Sequence, residues 1–380
     1  MNNKVVLLNT AHYSLDDRVF YHQARCLKNN AYQVQIISTK ENLSKTIDEI
    51  AINSYDDSNL THAEKLNKIV VQLNLFCPDI IICDSPLAII ASGRYKQKHK
   101  VNIIYDITEW YPSKKNIGKA AGVNKLIRLL TLSGVFLLAG LKSNGFIFGE
   151  YYKSILCKRL FFWKPALKLS YYPDLSYIQH YPLEKKNGEF NLLYSGMINK
   201  DKGIESVIKV VQRCANIHPE TQFKLKIIGY FSTPDDTIYF DDCTKNSGKN
   251  VHIEIQNTLP FPEFCKTIGN TDLFLDLRIV DIENTHCLPI KLFYYLACGR
   301  PVIYSNLKSI RHEINPFNFG HLCNPTDIKT IASRISDYIL NPNVYEQHAK
   351  NALNSSKAKY NWALIENDFI SFVNNFRDSI

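Results

Sequence analysis

At 380 residues the chain exceeds one typical hydrophobic core and suits two domains. Its 45% hydrophobic and 21% charged content is that of a folded protein, and its net charge of +9 suits an anionic surface or ligand without choosing between them. The 10 cysteines include no C-x-x-C pair and no metal-ligand spacing, which points to a reducing compartment with most cysteines as small core residues. The Met-Asn-Asn-Lys start is unlike a signal peptide, and no apolar run looks long enough to cross a bilayer. The expected place is the cytosol, with room for peripheral membrane contact.

Residues 5–9 read as one strand, apolar from Val5 to Leu8, as in a strand buried on both faces. A polar loop with His12, Tyr13, Asp16 and Asp17 follows. Next come a helix over about 18–29, with Val19, Ala24 and Leu27 on one face, and a strand at 34–37. This βαβ opening lacks G-x-G-x-x-G, so a dinucleotide dehydrogenase is not expected. Strands at 80–84 and 102–106 end in Asp84 and Asp106. Acids at the carboxyl ends of parallel strands face the ligand crevice, although Asp106 equally suits a helix cap. Glu109 lies in the same loop.

From 114 to 142 the chain changes character. Lys114, Lys115, Lys119, Lys125 and Arg128 precede an apolar run at 129–141, too short to span a bilayer. Two readings stand: a helix on an anionic membrane surface, or a helix buried between sheet and neighbour. The basic aromatic stretch 158–165 has a base-stacking composition but belongs to no nucleic-acid module, so nucleic acid is not an expected partner.

The pattern restarts with a strand at 190–196, a helix over 204–214 and a strand at 223–229. The polar stretch 232–250 reads as a surface excursion, followed by strands at 251–254 and 273–277. Residues 288–305 read as loop, helix, turn and strand. Pro289 suits a first helical turn, Leu292, Tyr295 and Leu296 face a core, and Gly299 with Pro301 ends the helix. The helix start offers free N–H groups to an anion. Everything beyond 327 reads as helical. The fold class is α/β with two doubly wound domains and a ligand in the cleft between them.

Four stretches and the C-terminus carry a family resemblance. Asp17-Arg18-Val19 leads into a matching first helix. Residues 105–112, including Trp110, are similar to Y-D-x-H-E-x-Y-P, with Thr108 where histidine is usual. Residues 193–198 with Lys202-Gly203 look like a G-R-L…K-G phosphate motif. Residues 288–305 resemble P-x-K-L-F-E-Y-L-A-x-G-x-P-V-I, and Tyr360-Asn361-Trp362 looks like an element returning to the first domain. Together they resemble the GT-B glycosyltransferases, in particular retaining family 4 of bacterial surface-glycan type.

The resemblance implies an acceptor domain at 1–172, a donor domain at 173–355 and a helix at 356–380 that crosses back. It implies a nucleotide-sugar donor, UDP-linked by preference, and a glycan or lipid-linked acceptor. No cofactor or metal is expected. Lys202 would sit on the donor diphosphate, with the amides of Ile290, Lys291 and Leu292 after Pro289. Gly196, Met197, Gly229, His286 and Tyr294 would complete the donor site. His12, Tyr13, Asp17 and Glu109 would meet the acceptor. An inverting enzyme would take Glu109 or Asp106 as its base, whereas a retaining one needs none.

Two positions depart from the family pattern. Met197 replaces the second diphosphate cation, which Lys200 or Arg278 would have to supply, and Tyr294 replaces a ribose-binding glutamate. The departures keep open a catalytically silent nucleotide-sugar binder. A sugar-nucleotide epimerase using Asp106, Glu109, His12 and His286 is the other alternative.

Overall fold

Runs of Val, Ile and Leu that are buried on both faces fall into two sheets, each within its own unit. The computed structural model describes residues 3–109, 111–118, 120–181 and 188–378. Trp110 and Lys119 lie outside the described residues, as do the side chains of Lys114 and Lys115. Unit 1 comprises Met1–Tyr171 with Ala363–Ile380, and unit 2 comprises Tyr172–Trp362.

Unit 1 contains β1 (Lys4–Asn9), β2 (Gln33–Ser38), β3 (Leu43–Ile47), β4 (Ile50–Ser54), β5 (Ile80–Cys83), β6 (Asn102–Ile107), β7 (Gly145–Phe148) and β8 (Ala166–Lys168). Their order is β3-β4-β2-β1-β5-β6-β7-β8, parallel except for β3 against β4. The chain winds from β1 to one side and then resumes at β5 on the other. The strand order therefore reverses between β1 and β5, where doubly wound sheets hold ligands at their carboxyl ends. Residues 18–29 begin as a π-helical segment, Asp17–Ala24, and continue as the α-helix Arg25–Asn29. The helix Glu366–Arg377 belongs to this unit: Tyr32 Oη donates to Asn374 Oδ1 (2.5 Å) and Asn102 Nδ2 to the Phe376 carbonyl (2.6 Å).

Unit 2 contains β9 (Glu189–Met197), β10 (Gln222–Tyr230), β11 (Val251–Gln256), β12 (Leu273–Asp276), β13 (Val302–Ser305) and β14 (Gly320–Cys323). The order β11-β10-β9-β12-β13-β14 is wholly parallel, and it reverses between β9 and β12. Residues up to Trp362 stay with this unit, where the Trp362 N–H donates to the Pro173 carbonyl (2.9 Å).

Three expectations need correction. The stretch 232–250 is not merely an excursion, because Pro234–Thr244 is a helix with a Thr233–Asp236 capping box. The helix expected from Pro289 starts at Lys291, with Ile290 as its N-cap, and Gly299 follows its end. The third concerns the apolar segment. It forms a 21-residue helix, Gly122–Lys142, long and apolar enough to cross a membrane by length and composition alone. It is not a buried core helix: only Phe136, Ala139 and Gly140 are buried, and residues 122–131 are exposed throughout.

Candidate functional site

In unit 2 the carboxyl ends of β9 and β12 flank the reversal of strand order. Gly196 lies near the end of β9, opposite Gly229 in β10. A Cβ on Gly229 would sit 1.8 Å from the Gly196 carbonyl oxygen, so the two backbones pack without room for a side chain. Past β9, Asn199 Oδ1 accepts from the Lys202 N–H (2.9 Å), closing a tight loop into the helix Ile204–Ile217. Gly203 caps that helix at φ +76°, where its Cα faces the Leu277 carbonyl.

This geometry brings the Lys202 side chain to Asn284, with Nζ donating to Oδ1 (3.1 Å). Asn284 is itself pinned. Its N–H donates to Asp281 Oδ1 (2.7 Å), and its Nδ2 donates to the Ile279 carbonyl (3.1 Å). Burial, with the nearby charge of Arg278, pulls the Lys202 ammonium below the ordinary lysine value. A half-buried cation of this kind is stabilised by an arriving anion. Asn284 was not singled out from the sequence. Its only signal is its place three residues after Asp281, which caps the short helix Ile282–His286.

Arg278, weighed above as a substitute cation, is bound through Nε and Nη2 to both carboxylate oxygens of Asp276 (Nε–Oδ1 2.8 Å). Its charge is therefore neutralised locally. Lys200 is exposed, and Met197 Sδ accepts from Asn199 Nδ2 (2.9 Å). The Leu292 N–H, expected to be open to an anion, donates to the Pro289 carbonyl (3.2 Å). Lys291 holds its ammonium 5.5 Å from the Phe264 ring centre. Tyr294 is only 2% exposed, its ring edge-on to Phe261 and Phe264. His286 pairs through Nδ1 with the Ile282 carbonyl (2.8 Å).

Unit 1 repeats the arrangement with other chemistry. Asp84 follows β5, and the loop after β1 wraps its carboxylate. The N–H groups of Thr10 and Ala11 donate to Oδ1 and Oδ2, each at 2.9 Å, and His12 Nδ1 lies 2.9 Å from Oδ2. Burial opposes a charge on His12. The Asp84 hydrogen bond and the charges of Asp16, Asp84 and Glu109 outweigh it, raising the imidazole to about 9. Burial and the neighbouring Asp17 push Asp16 upward as well. Asp16 caps the helical segment by accepting the Arg18 N–H (3.1 Å), which Asp17 Oδ1 also accepts (2.9 Å). Tyr13 and Glu109 are exposed.

Asp106 requires the clearest correction. It is neither a helix cap nor an available base. Arg18 grips it with Nε (2.8 Å) and Nη2 (2.9 Å), and Gln23 Nε2 donates to it at 2.7 Å. Arg18 Nη1 continues to the Leu169 carbonyl (3.0 Å), and its guanidinium lies 4.5 Å from the Tyr171 ring centre. Three donors thus engage the carboxylate inside the unit. Among the described residues, no three His, Cys, Asp or Glu side chains gather as a metal-holding group.

The chain is similar to known proteins in sequence and in fold. Residues 178–355 match the family model described as Glycosyl transferases group 1. A glycogen synthase of Mycobacterium tuberculosis is 23% identical over 184 residues, covering 47% of this chain and 41% of that protein. The match therefore spans less than half of the curated relative. Sucrose-phosphate synthase from Thermosynechococcus elongatus superposes with a TM-score of 0.76 at 14% identity, covering 100% of both chains. Anabaena HepE in complex with UDP-glucose gives 0.70 at 12% identity, over 98% of this chain and 99% of that one. At such identities the likeness establishes the fold, which is GT-B, with two Rossmann-like domains.

Proposed function

Because residues 178–355 match the group 1 glycosyltransferase model, we propose that the chain moves a sugar from a UDP-sugar to a glycan or lipid-linked acceptor. The product would serve surface polysaccharide or lipopolysaccharide synthesis. The observation that carries this reading is Lys202, set by Asn284 at the strand-order reversal of unit 2. A nucleotide sugar leaves as a diphosphate, and the charge it develops needs a preorganised cation and N–H donors. Lys202 supplies the cation, and the N–H of Ile290, at the helix N-cap, supplies a donor. UDP is the preferred nucleotide because HepE, of the same fold, was solved with UDP-glucose.

Transfer proceeds with retention and without a metal ion in this reading. The leaving phosphate takes the acceptor's proton, so no protein base is required. The engagement of Asp106 by Arg18 and Gln23 supports that choice. Unit 1 receives the acceptor around His12, Tyr13, Asp17 and Glu109. The exposed helix Gly122–Lys142 favours peripheral contact with an anionic membrane and thus a lipid-linked acceptor.

The test is incubation with UDP-, GDP- and CMP-sugars and membrane lipid acceptors, with the product's anomeric configuration read by NMR. Transfer from a UDP-sugar with retention is expected. No transfer and no donor hydrolysis across the panel contradicts the reading. A second reading, a silent UDP-sugar binder, is favoured by Met197 and by the neutralised Arg278. Tight UDP binding without turnover would select it.

A further inference from the structure

We infer that unit 1 docks on anionic bilayers through two elements, the helix Gly122–Lys142 and the aromatic turn 161–164, whose Phe162 and Trp163 insert among the lipids. The inference rests on the membrane contact proposed above for the helix. It adds the second element and the charge of the lipid.

The helix leaves Val123 73%, Leu130 64% and Leu141 60% exposed. A contiguous apolar face of this kind marks an interaction surface. Its first ten residues are exposed throughout, so no core packing covers their apolar side chains. The turn lies at the other end of the same helix. Phe161 is buried with its ring against Gly140, so close that a Cβ there would meet it at 2.2 Å. Lys164 Nζ donates to the carbonyls of Gly140 (2.7 Å), Leu141 (2.8 Å) and Ser143 (2.5 Å), closing the helix C-terminus. Between these two anchors Phe162 stands 79% exposed and Trp163 58% exposed. Aromatic side chains of this type favour the membrane–water boundary.

Charge names the occupant. Residues 110–173 contain 11 Lys and Arg and one acid, Glu150. Glu150 is buried and paired with Lys153 (2.6 Å). The segment's formal charge is 11 − 1 = +10, so the rest of the chain, at 9 − 10 = −1, is nearly neutral. A second copy presenting the same face would be repelled. An anionic bilayer offers apolar depth and negative headgroups together, each basic residue near it contributing about 1 kcal/mol. Nor does the helix cross the bilayer. It connects β6 to β7, which pair side by side in parallel, so both its ends return to one sheet. It therefore lies in the interface.

The experiment uses the full chain with vesicles of phosphatidylcholine alone or mixed with phosphatidylglycerol, some brominated in the acyl chains. We expect salt-sensitive binding only to the anionic vesicles, and bromine quenching of tryptophan emission that Trp163→Phe largely removes. Phe162→Ser with Trp163→Ser should weaken partitioning at least ~10-fold, with UDP affinity and melting temperature unchanged. A double variant that binds like wild type, or unaltered quenching in Trp163→Phe, overturns the role of the turn. If helix variants such as Leu126→Ser with Leu130→Ser still lose binding in that case, the helix reading survives alone. Absence of wild-type binding, or equal binding to neutral vesicles, overturns the proposal. UDP binding is measured in parallel and judges the transferase reading separately.

Discussion

Arg18 and Asp106, 88 positions apart, close a two-pronged ion pair inside unit 1, with both side chains about 5% exposed. Gln23 and the Leu169 carbonyl occupy further hydrogen-bonding positions of the pair. The pair ties the segment after β1 to the end of β6, and so shapes the loop that carries Thr108 and Glu109. Removing one charge leaves the other buried and uncompensated, which costs about 3–5 kcal/mol. Asp106→Asn should therefore lower the urea midpoint sharply. The activity that remains should follow the folded fraction. A fully stable Asp106→Asn protein that has lost turnover would instead restore the carboxylate as a base.

His12 supplies a pH dependence. Its imidazole is raised from an ordinary 6.5 to about 9, so the folded state binds that proton more tightly than the unfolded chain. The stabilisation is complete below about pH 6.5 and is lost as pH rises through about 9. Unfolding free energy should fall by on the order of 2–3 kcal/mol between neutral pH and pH 10. His12→Asn should flatten this slope, as followed by urea titration at several pH values. A wild-type slope matching that of the variant would remove His12 from the account.

Gly203 tests the backbone of the donor loop. Its φ of +76° and the Leu277 carbonyl, 1.8 Å from a built Cβ, leave no space for alanine. Gly203→Ala should cost at least ~1–3 kcal/mol and displace Lys202, weakening UDP binding while unit 1 keeps its hydrogen-exchange protection. Unchanged UDP affinity would show that the loop tolerates the shift.

The sequence made the buried strands legible because parallel strands covered on both faces read as apolar runs, as at 5–8 and 80–83. The hairpin of β3 and β4 was missed. β3 faces solvent, and its turn uses Asp48 and Glu49 at positive φ without an Asn-Gly signal. Lys202 and Gly203 were readable because a loop entering a helix imposes local constraints. Arg18 with Asp106, His12 with Asp84 and Lys202 with Asn284 were not, since each joins residues 72 to 88 positions apart. Such pairings follow from strand order, which apolar periodicity leaves open. The exposure of Gly122–Lys142 stayed open in the sequence for a related reason: an apolar run is alike in a core and at a membrane.

The central claim is that Lys202, set by Asn284 beside the paired backbones of Gly196 and Gly229, holds the donor's diphosphate. Calorimetric titration of wild type and Lys202→Ala with UDP and with uridine tests it most directly. The account predicts that the variant loses UDP affinity by at least ~10-fold, the scale of one charge-assisted contact, while its affinity for uridine is unchanged. Equal UDP affinity in the two proteins, or a parallel loss for uridine, would contradict the assignment.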